Sequence, residues 1–113
     1  MRKESSSSVR ITFPAHSREE LVDRLRQAVA SLAADLPVRR AVLFGSWASR
    51  RATAYSDIDV LVVYADPPRD DAYSTVRRHL TVRGMEPHVY SEGEASQIED
   101  TLRRMTRNGM QLL

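Results

Sequence analysis

Two aspartates, Asp57 and Asp59, stand two residues apart at the start of an apolar run. In a β-strand successive side chains point to opposite faces, so these two carboxylates would share one face, about 6.6 to 6.8 Å apart along the strand. Carboxylates that close repel each other unless a cation lies between them. Hard oxygen ligands bind Mg²⁺, which neutralises phosphate groups in phosphoryl and nucleotidyl transfer. The pair therefore predicts a magnesium site for phosphate chemistry.

An earlier apolar run ends at Gly45 and Ser46. Glycine lets the backbone approach a phosphate closely, and Ser46 offers a hydroxyl where a short helix would point free N–H groups at an anion. We expect a strand over 38–44, the short helix over 46–51 and a second strand over 58–63. These elements would place the turn beside the two carboxylates.

The remaining elements follow from apolar periodicity and from Gly, Pro and Ser positions. Capping boxes begin at Ser17 and Ser91. Pro87 restricts its strand to a sheet edge or to a ladder position that needs no donor. We predict helices over 18–34, 72–82 and 92–107, and further strands over 9–13 and 85–90.

Residues 1–8 are polar and rich in serine, which predicts a disordered tail. The rest of the chain, 9–113, has the length of one domain. We expect an α/β (α+β) fold, with a mixed sheet of about four strands and helices packed mainly on one face.

The two motifs together resemble a known signature. Gly45 and Ser46, ten further residues, then Asp57 and Asp59 with Ser56 just before them, resemble the GS-x10-DxD motif of the DNA polymerase beta nucleotidyltransferase superfamily, in its minimal nucleotidyltransferase (MNT) branch. The resemblance covers about half of the chain, from position 38 to 90. It implies the nucleotidyltransferase fold, two Mg²⁺ ions held by the aspartates, ATP as substrate, and Gly45, Ser46 and Ser56 as nucleotide-binding residues.

The superfamily places a third carboxylate on a following strand, and the resemblance puts Glu86 there as a metal ligand or catalytic residue. The alternative for Glu86 is an exposed acid at the start of a strand. His88 lies two residues on, and so on the same face, where it is either a substitute ligand or base or a half-buried, hydrogen-bonded histidine. The chain departs from the family at Ser49 and Arg50, where an Arg-Gly pair is common.

MNT proteins are commonly paired with HEPN proteins in toxin–antitoxin modules. There the MNT member is the antitoxin and can transfer AMP to a tyrosine of the HEPN toxin. The resemblance implies this activity and this partner. Two alternatives stay open: a non-catalytic antitoxin that acts by binding alone, and a small-molecule nucleotidyltransferase that works with a separate helical subunit.

Composition narrows the classes of function. The chain has no cysteine, which excludes disulfides and thiolate metal sites. Its N-terminus lacks the apolar core of a signal peptide, and no run approaches the ~20 apolar residues of a membrane span, so we expect a cytoplasmic protein without membrane contact. The formal net charge is +2 and paired arginines are dispersed along the sequence. We therefore predict no nucleic-acid partner.

Two apolar features could serve packing or binding. Trp47 would pack the short helix, stack on a nucleotide base or anchor a partner. The tail formed by Met110, Leu112 and Leu113 either completes the core or forms a docking strip. Together they predict exposed apolar surface that a partner or a second copy covers, and hence a homo- or hetero-oligomer.

Overall fold

The computed structural model describes residues 17–49, 52 and 57–113. The predicted tail over 1–8, the predicted strand over 9–13 and Ser56 lie outside the described residues. In the described part, the helices are α1 (Arg18–Leu32), α2 (Ala72–His79), α3 (Glu92–Gln97) and α4 (Glu99–Met105), and the strands are β1 (Val38–Phe44), β2 (Ile58–Tyr64), β3 (Met85–Ser91) and β4 (Met110–Gln111). None of the described helices combines the length and apolar character that crossing a bilayer requires.

The described strands form one mixed sheet in the order β3-β2-β1-β4. β1 runs antiparallel to both β2 and β4, whereas β2 and β3 are parallel. A parallel pair needs a crossover connection, and α2 supplies it between β2 and β3. The predicted mixed sheet of about four strands is confirmed. Within this sheet β3 is at the edge, where Pro87 can be tolerated.

Alternating strand residues bury both faces of the sheet. On one face, Leu43 and Val62 pack with α1 and α2, the two longer helices. On the opposite face, Leu61 packs with Ala95 of α3 and Leu102 of α4. The short α3–α4 pair thus adds cover on a face that the sequence analysis left largely open, because the capping box at Ser91 starts α3 directly at the end of β3.

The predicted helix over 92–107 is wrong as a single element, because the chain breaks at Ile98 (φ −124°, ψ 31°). Glycine and serine are weak helix formers, and the Ser96 hydroxyl donates a hydrogen bond to the Gly93 carbonyl, where it competes with the backbone hydrogen bonds of the helix.

The short helix predicted over 46–51 is a turn in its described part, closed by one hydrogen bond from Ser49 N to Gly45 O at 3.0 Å.

The prediction of exposed apolar surface is wrong for Trp47 and Leu112 and is confirmed for Leu113. The side chains of Trp47 and Leu112 are each only 4% exposed and belong to the core, and the tail pairs with β1 through β4. Pairing removes an open strand edge from β1, which explains why the tail folds back. Leu113, 52% exposed, is the tail residue that stays in solvent.

Candidate active site

The turn after β1 lies directly against Asp59. Phe44, the last residue of β1, pairs with Asp59 near the start of β2. Gly45 therefore lies at the end of the sheet where β1 ends and β2 begins. Gly45 has φ +79°, a conformation that favours glycine. A Cβ at this position would lie 2.7 Å from Oδ2 of Asp59, closer than such atoms pack. Glycine is therefore required both by the backbone and by the carboxylate beside it.

Arg18, the first residue of α1, holds this turn in place. Its Nε donates to the carbonyl of Trp47 at 2.9 Å, and its Nη2 donates to the carbonyl of Ala48 at 3.0 Å. Both contacts join residues about 30 positions apart, so local sequence patterns could not reveal them. Arg18 is a positioning residue that the sequence analysis missed.

The parallel pairing of β2 and β3 brings the predicted third carboxylate to the site. Asp59 and Glu86 are register partners, so their side chains emerge on the same face of adjacent strands. A hydrogen bond of 2.8 Å from Ile58 N to Gly84 O starts this register. Asp57 directly precedes β2 and is exposed, as is Glu86, whereas the side chain of Asp59 is 27% exposed.

His88 also lies at this site. Its Nε2 is 3.4 Å from Oδ1 of Asp59, and its ring packs against the Phe44 ring with centroids 5.1 Å apart. Because Nε2 would be a donor in a bond to a carboxylate, the contact fixes the orientation of Asp59 more than it frees His88 for other chemistry. Phe44 is a second residue that the sequence analysis did not connect with the site.

The carboxylates at this end of the sheet fit Mg²⁺, since carboxylate oxygens are the ligands that this ion prefers. The absence of a side chain on Gly45 leaves room beside Oδ2 of Asp59. Among the described residues, however, no group of three or more His, Cys, Asp or Glu side chains converges closely enough to hold a metal ion. The structure thus brings Asp59, Glu86 and His88 to one end of the sheet, and Asp57 directly precedes β2 there. The described residues do not form a three-ligand metal site.

Comparison with known proteins agrees with this geometry. A family model described as a nucleotidyltransferase domain matches residues 22–113. No curated protein matches. A crystal structure assigned as a nucleotidyltransferase from Sulfolobus solfataricus superposes with a TM-score of 0.60 and 20% identity, covering 83% of this chain and 80% of that one.

Two further similar structures come from toxin–antitoxin complexes. One contains AMP-PNP and has a TM-score of 0.55 at 21% identity, with 78% of this chain and 72% of that chain covered. The other is a mutant of the toxin–antitoxin MntA–HpeT, with a TM-score of 0.55 at 18% identity and the same coverage. At these identities the likeness establishes a shared fold.

Proposed function

This chain belongs to the nucleotidyltransferase domain family, and we propose that it transfers AMP from ATP to a hydroxyl group in a Mg²⁺-dependent reaction. The observation that carries the proposal is the placement of Gly45 against Asp59, with Glu86 as the register partner of Asp59 on the neighbouring strand. A turn that needs glycine and lies against Asp59 leaves room for a triphosphate to approach a metal ion held by the carboxylates.

In this proposal Asp57 and Asp59 hold Mg²⁺, and Glu86 contributes the third carboxylate. Mg²⁺ when bound supplies charge neutralisation for the triphosphate and lowers the pKa of an attacking oxygen. In the same proposal, the backbone at Gly45 and the hydroxyl of Ser46 contact phosphate oxygens. Arg18 keeps this turn at its distance from Asp59 through its bonds to Trp47 and Ala48.

The transfer step balances without any further reactant. The acceptor oxygen forms a bond to the α-phosphorus of ATP, and the bond from that phosphorus to the bridging oxygen breaks. Pyrophosphate leaves with the bonding electrons, and the hydroxyl proton passes to a carboxylate such as Glu86 or to water. Orientation of the acceptor oxygen and stabilisation of the charged phosphates account for the rate.

For the acceptor we propose a tyrosine of a HEPN-family toxin, with this chain as the antitoxin. Support comes from the two toxin–antitoxin structures that share this fold, one of them with AMP-PNP. A second candidate is an antitoxin that acts by binding alone. It is favoured by the absence, in the described part, of a preassembled three-ligand metal group.

Calorimetric titration with ATP in the presence and absence of Mg²⁺ tests the metal site. We expect Mg²⁺-dependent binding that Asp57→Asn and Asp59→Asn each weaken. At an ATP concentration of 100 times the dissociation constant, mass action adds about 2.7 kcal/mol to the free energy of unfolding, a rise in Tm of roughly 10 °C. If Mg²⁺ leaves ATP binding unchanged, the enzymatic proposal fails and the binding-only antitoxin replaces it.

Glu86 and His88 can then be separated by transfer kinetics. A ligand that acts mainly in the transition state lowers the rate when lost but leaves nucleotide binding nearly intact. We expect this result for Glu86→Gln. His88→Ala frees the Asp59 carboxylate and should have the smaller effect on the rate. A normal rate in Glu86→Gln with a large loss in His88→Ala would assign the third role to His88.

A further inference from the structure

An open cleft of about 620 Å³ lies beside α4. It is lined by Arg40, Asp100, Arg103, Arg104, Thr106 and Arg107. Arg40 comes from β1 and the others from α4 and the turn after it. Arg40 lies four residues before Phe44 on the same strand, roughly 14 Å away at about 3.4 Å per residue. The cleft is therefore separate from the candidate active site.

Arginines that are far apart in the sequence converge here. The side chain of Arg40 is 34% exposed and is held toward α4 by Thr106, with Nη2 3.4 Å from Oγ1, and by Glu99, with Nη1 3.8 Å from Oε2. Arg103 pairs with Asp100 at 2.8 Å. Two carboxylates thus face four guanidinium groups, which leaves two positive charges in excess.

Arg104 and Arg107 carry that excess. Both are exposed, and neither forms a salt bridge with a carboxylate within the described residues. Toward the described residues, the Arg104 side chain makes one long hydrogen bond, from Nη2 to Oγ1 of Thr101 at 3.5 Å. Their guanidinium groups retain donors for an anionic ligand.

The lining favours phosphate over other anions. A guanidinium binds phosphate oxygens in pairs, and a tetrahedral phosphate can accept from several guanidinium groups at once, whereas a carboxylate has only two oxygens. None of the described lining residues is aromatic, so the cleft offers no aromatic ring on which a base could stack. Its apolar surface consists of arginine methylene groups and the Thr106 methyl group, and the guanidinium groups supply the charge for recognition.

We propose that this cleft binds phosphate groups, independently of the active site and of the base or sugar that carries them. The proposal reverses the expectation drawn from the dispersed arginine pairs. It covers two sources of the same chemistry, a free polyphosphate and the backbone of a single-stranded nucleic acid. It does not depend on transfer activity.

The double variant Arg104→Ala/Arg107→Ala tests the proposal against a control of equal charge. Arg78→Ala/Arg83→Ala also removes two exposed arginines, so both variants lower the formal net charge from +2 to 0. Arg40 is left intact because it joins β1 to α4. Binding of sodium tripolyphosphate and of a fluorescent 12-nucleotide oligouridylate is measured by titration in EDTA, which removes metal-dependent binding at the carboxylates. A polyglutamate peptide serves as the carboxylate probe.

We expect both phosphate probes to bind wild type and to compete with each other. The cleft variant should bind them about five- to thirtyfold more weakly, and the control should match wild type. For oligouridylate, losing two phosphate contacts should lower the slope of log affinity against log salt by about 1.4. Unchanged Tm and unchanged Mg²⁺-ATP binding in the cleft variant show that fold and active site are intact.

Three results would overturn the proposal. These are no binding of either phosphate probe, equal losses in the cleft and control variants, or polyglutamate binding as tight as tripolyphosphate. The last result would assign the cleft to an acidic protein segment. If the proposal holds, the tighter of the two phosphate probes identifies the source, and a steep salt dependence for oligouridylate points to nucleic acid.

Discussion

Replacing Gly45 with alanine changes the backbone and the neighbouring carboxylate together. At φ +79° an alanine costs roughly 1 to 2 kcal/mol of backbone strain. Its Cβ would lie 2.7 Å from Oδ2 of Asp59, so that oxygen must move by about 0.7 Å to reach an ordinary contact of 3.4 Å. Forcing Asp59 off its rotamer costs about 0.5 to 1.5 kcal/mol more. We therefore expect Gly45→Ala to lower the free energy of unfolding by about 1.5 to 3.5 kcal/mol.

The two costs separate in a double-mutant cycle measured by urea unfolding. In an Asp59→Ala background the crowded oxygen is gone, and the nearest remaining atom of residue 59 is its Cβ at 3.6 Å. Gly45→Ala should then cost only the backbone strain. The difference, about 0.5 to 1.5 kcal/mol, is at or above the error of about 0.3 to 0.5 kcal/mol expected for independent sites. Purely additive losses would refute the contact between this turn and Asp59.

Two further predictions concern the turn after β1 and the N-terminus of α2. Arg18→Ala removes the donors to the Trp47 and Ala48 carbonyls, so it should lower the free energy of unfolding by about 1 to 3 kcal/mol and weaken Mg²⁺-ATP binding. Arg78→Ala, at an exposed helical arginine, is the matched control, and equal losses in both variants would contradict a role for Arg18 in the turn. A hydrogen bond from Arg69 lowers the pKa of Asp71. The Asp71 carboxylate therefore stabilises the fold at pH values above its ordinary pKa near 3.9, and this stabilisation is lost as the pH falls through the lowered pKa. In Arg69→Ala the pKa of Asp71, measured by NMR, should move up toward its ordinary value, and an unchanged midpoint would show that Arg69 is not the cause.

The positions of the candidate site residues on the strands could be predicted because their sequence signal is local. Gly45 and Ser46 stand at a fixed spacing from Asp57 and Asp59, and each pair lies beside an apolar run that can only be a buried strand. The position of Glu86 followed from the resemblance, and the parallel register of β2 and β3 then placed it beside Asp59. Pro87 limited its strand to a sheet edge or to a ladder position that needs no donor, and β3 lies at the edge of the described sheet.

Other features could not be predicted because they depend on contacts between distant segments. Arg18 reaches the turn after β1 across about 30 residues, and no spacing rule marks such a bond. Dispersed arginines suggested solvated faces, yet Arg40 and Arg104 line the same cleft once α4 packs on the sheet. The sequence left the apolar tail as either core or docking strip, because the choice depends on the edge of β1, with which the tail pairs so that Leu112 is buried.

The most direct test of the proposed activity is transfer of label from ATP to a purified HEPN partner in the presence of Mg²⁺. With ATP labelled on the α-phosphate, we expect the partner protein to become labelled and pyrophosphate to be released, and Asp59→Asn to abolish both. With ATP labelled on the γ-phosphate, the partner should stay unlabelled. Label transferred from the γ-phosphate, or α-label transfer that survives in Asp59→Asn, would contradict nucleotidyl transfer at this site.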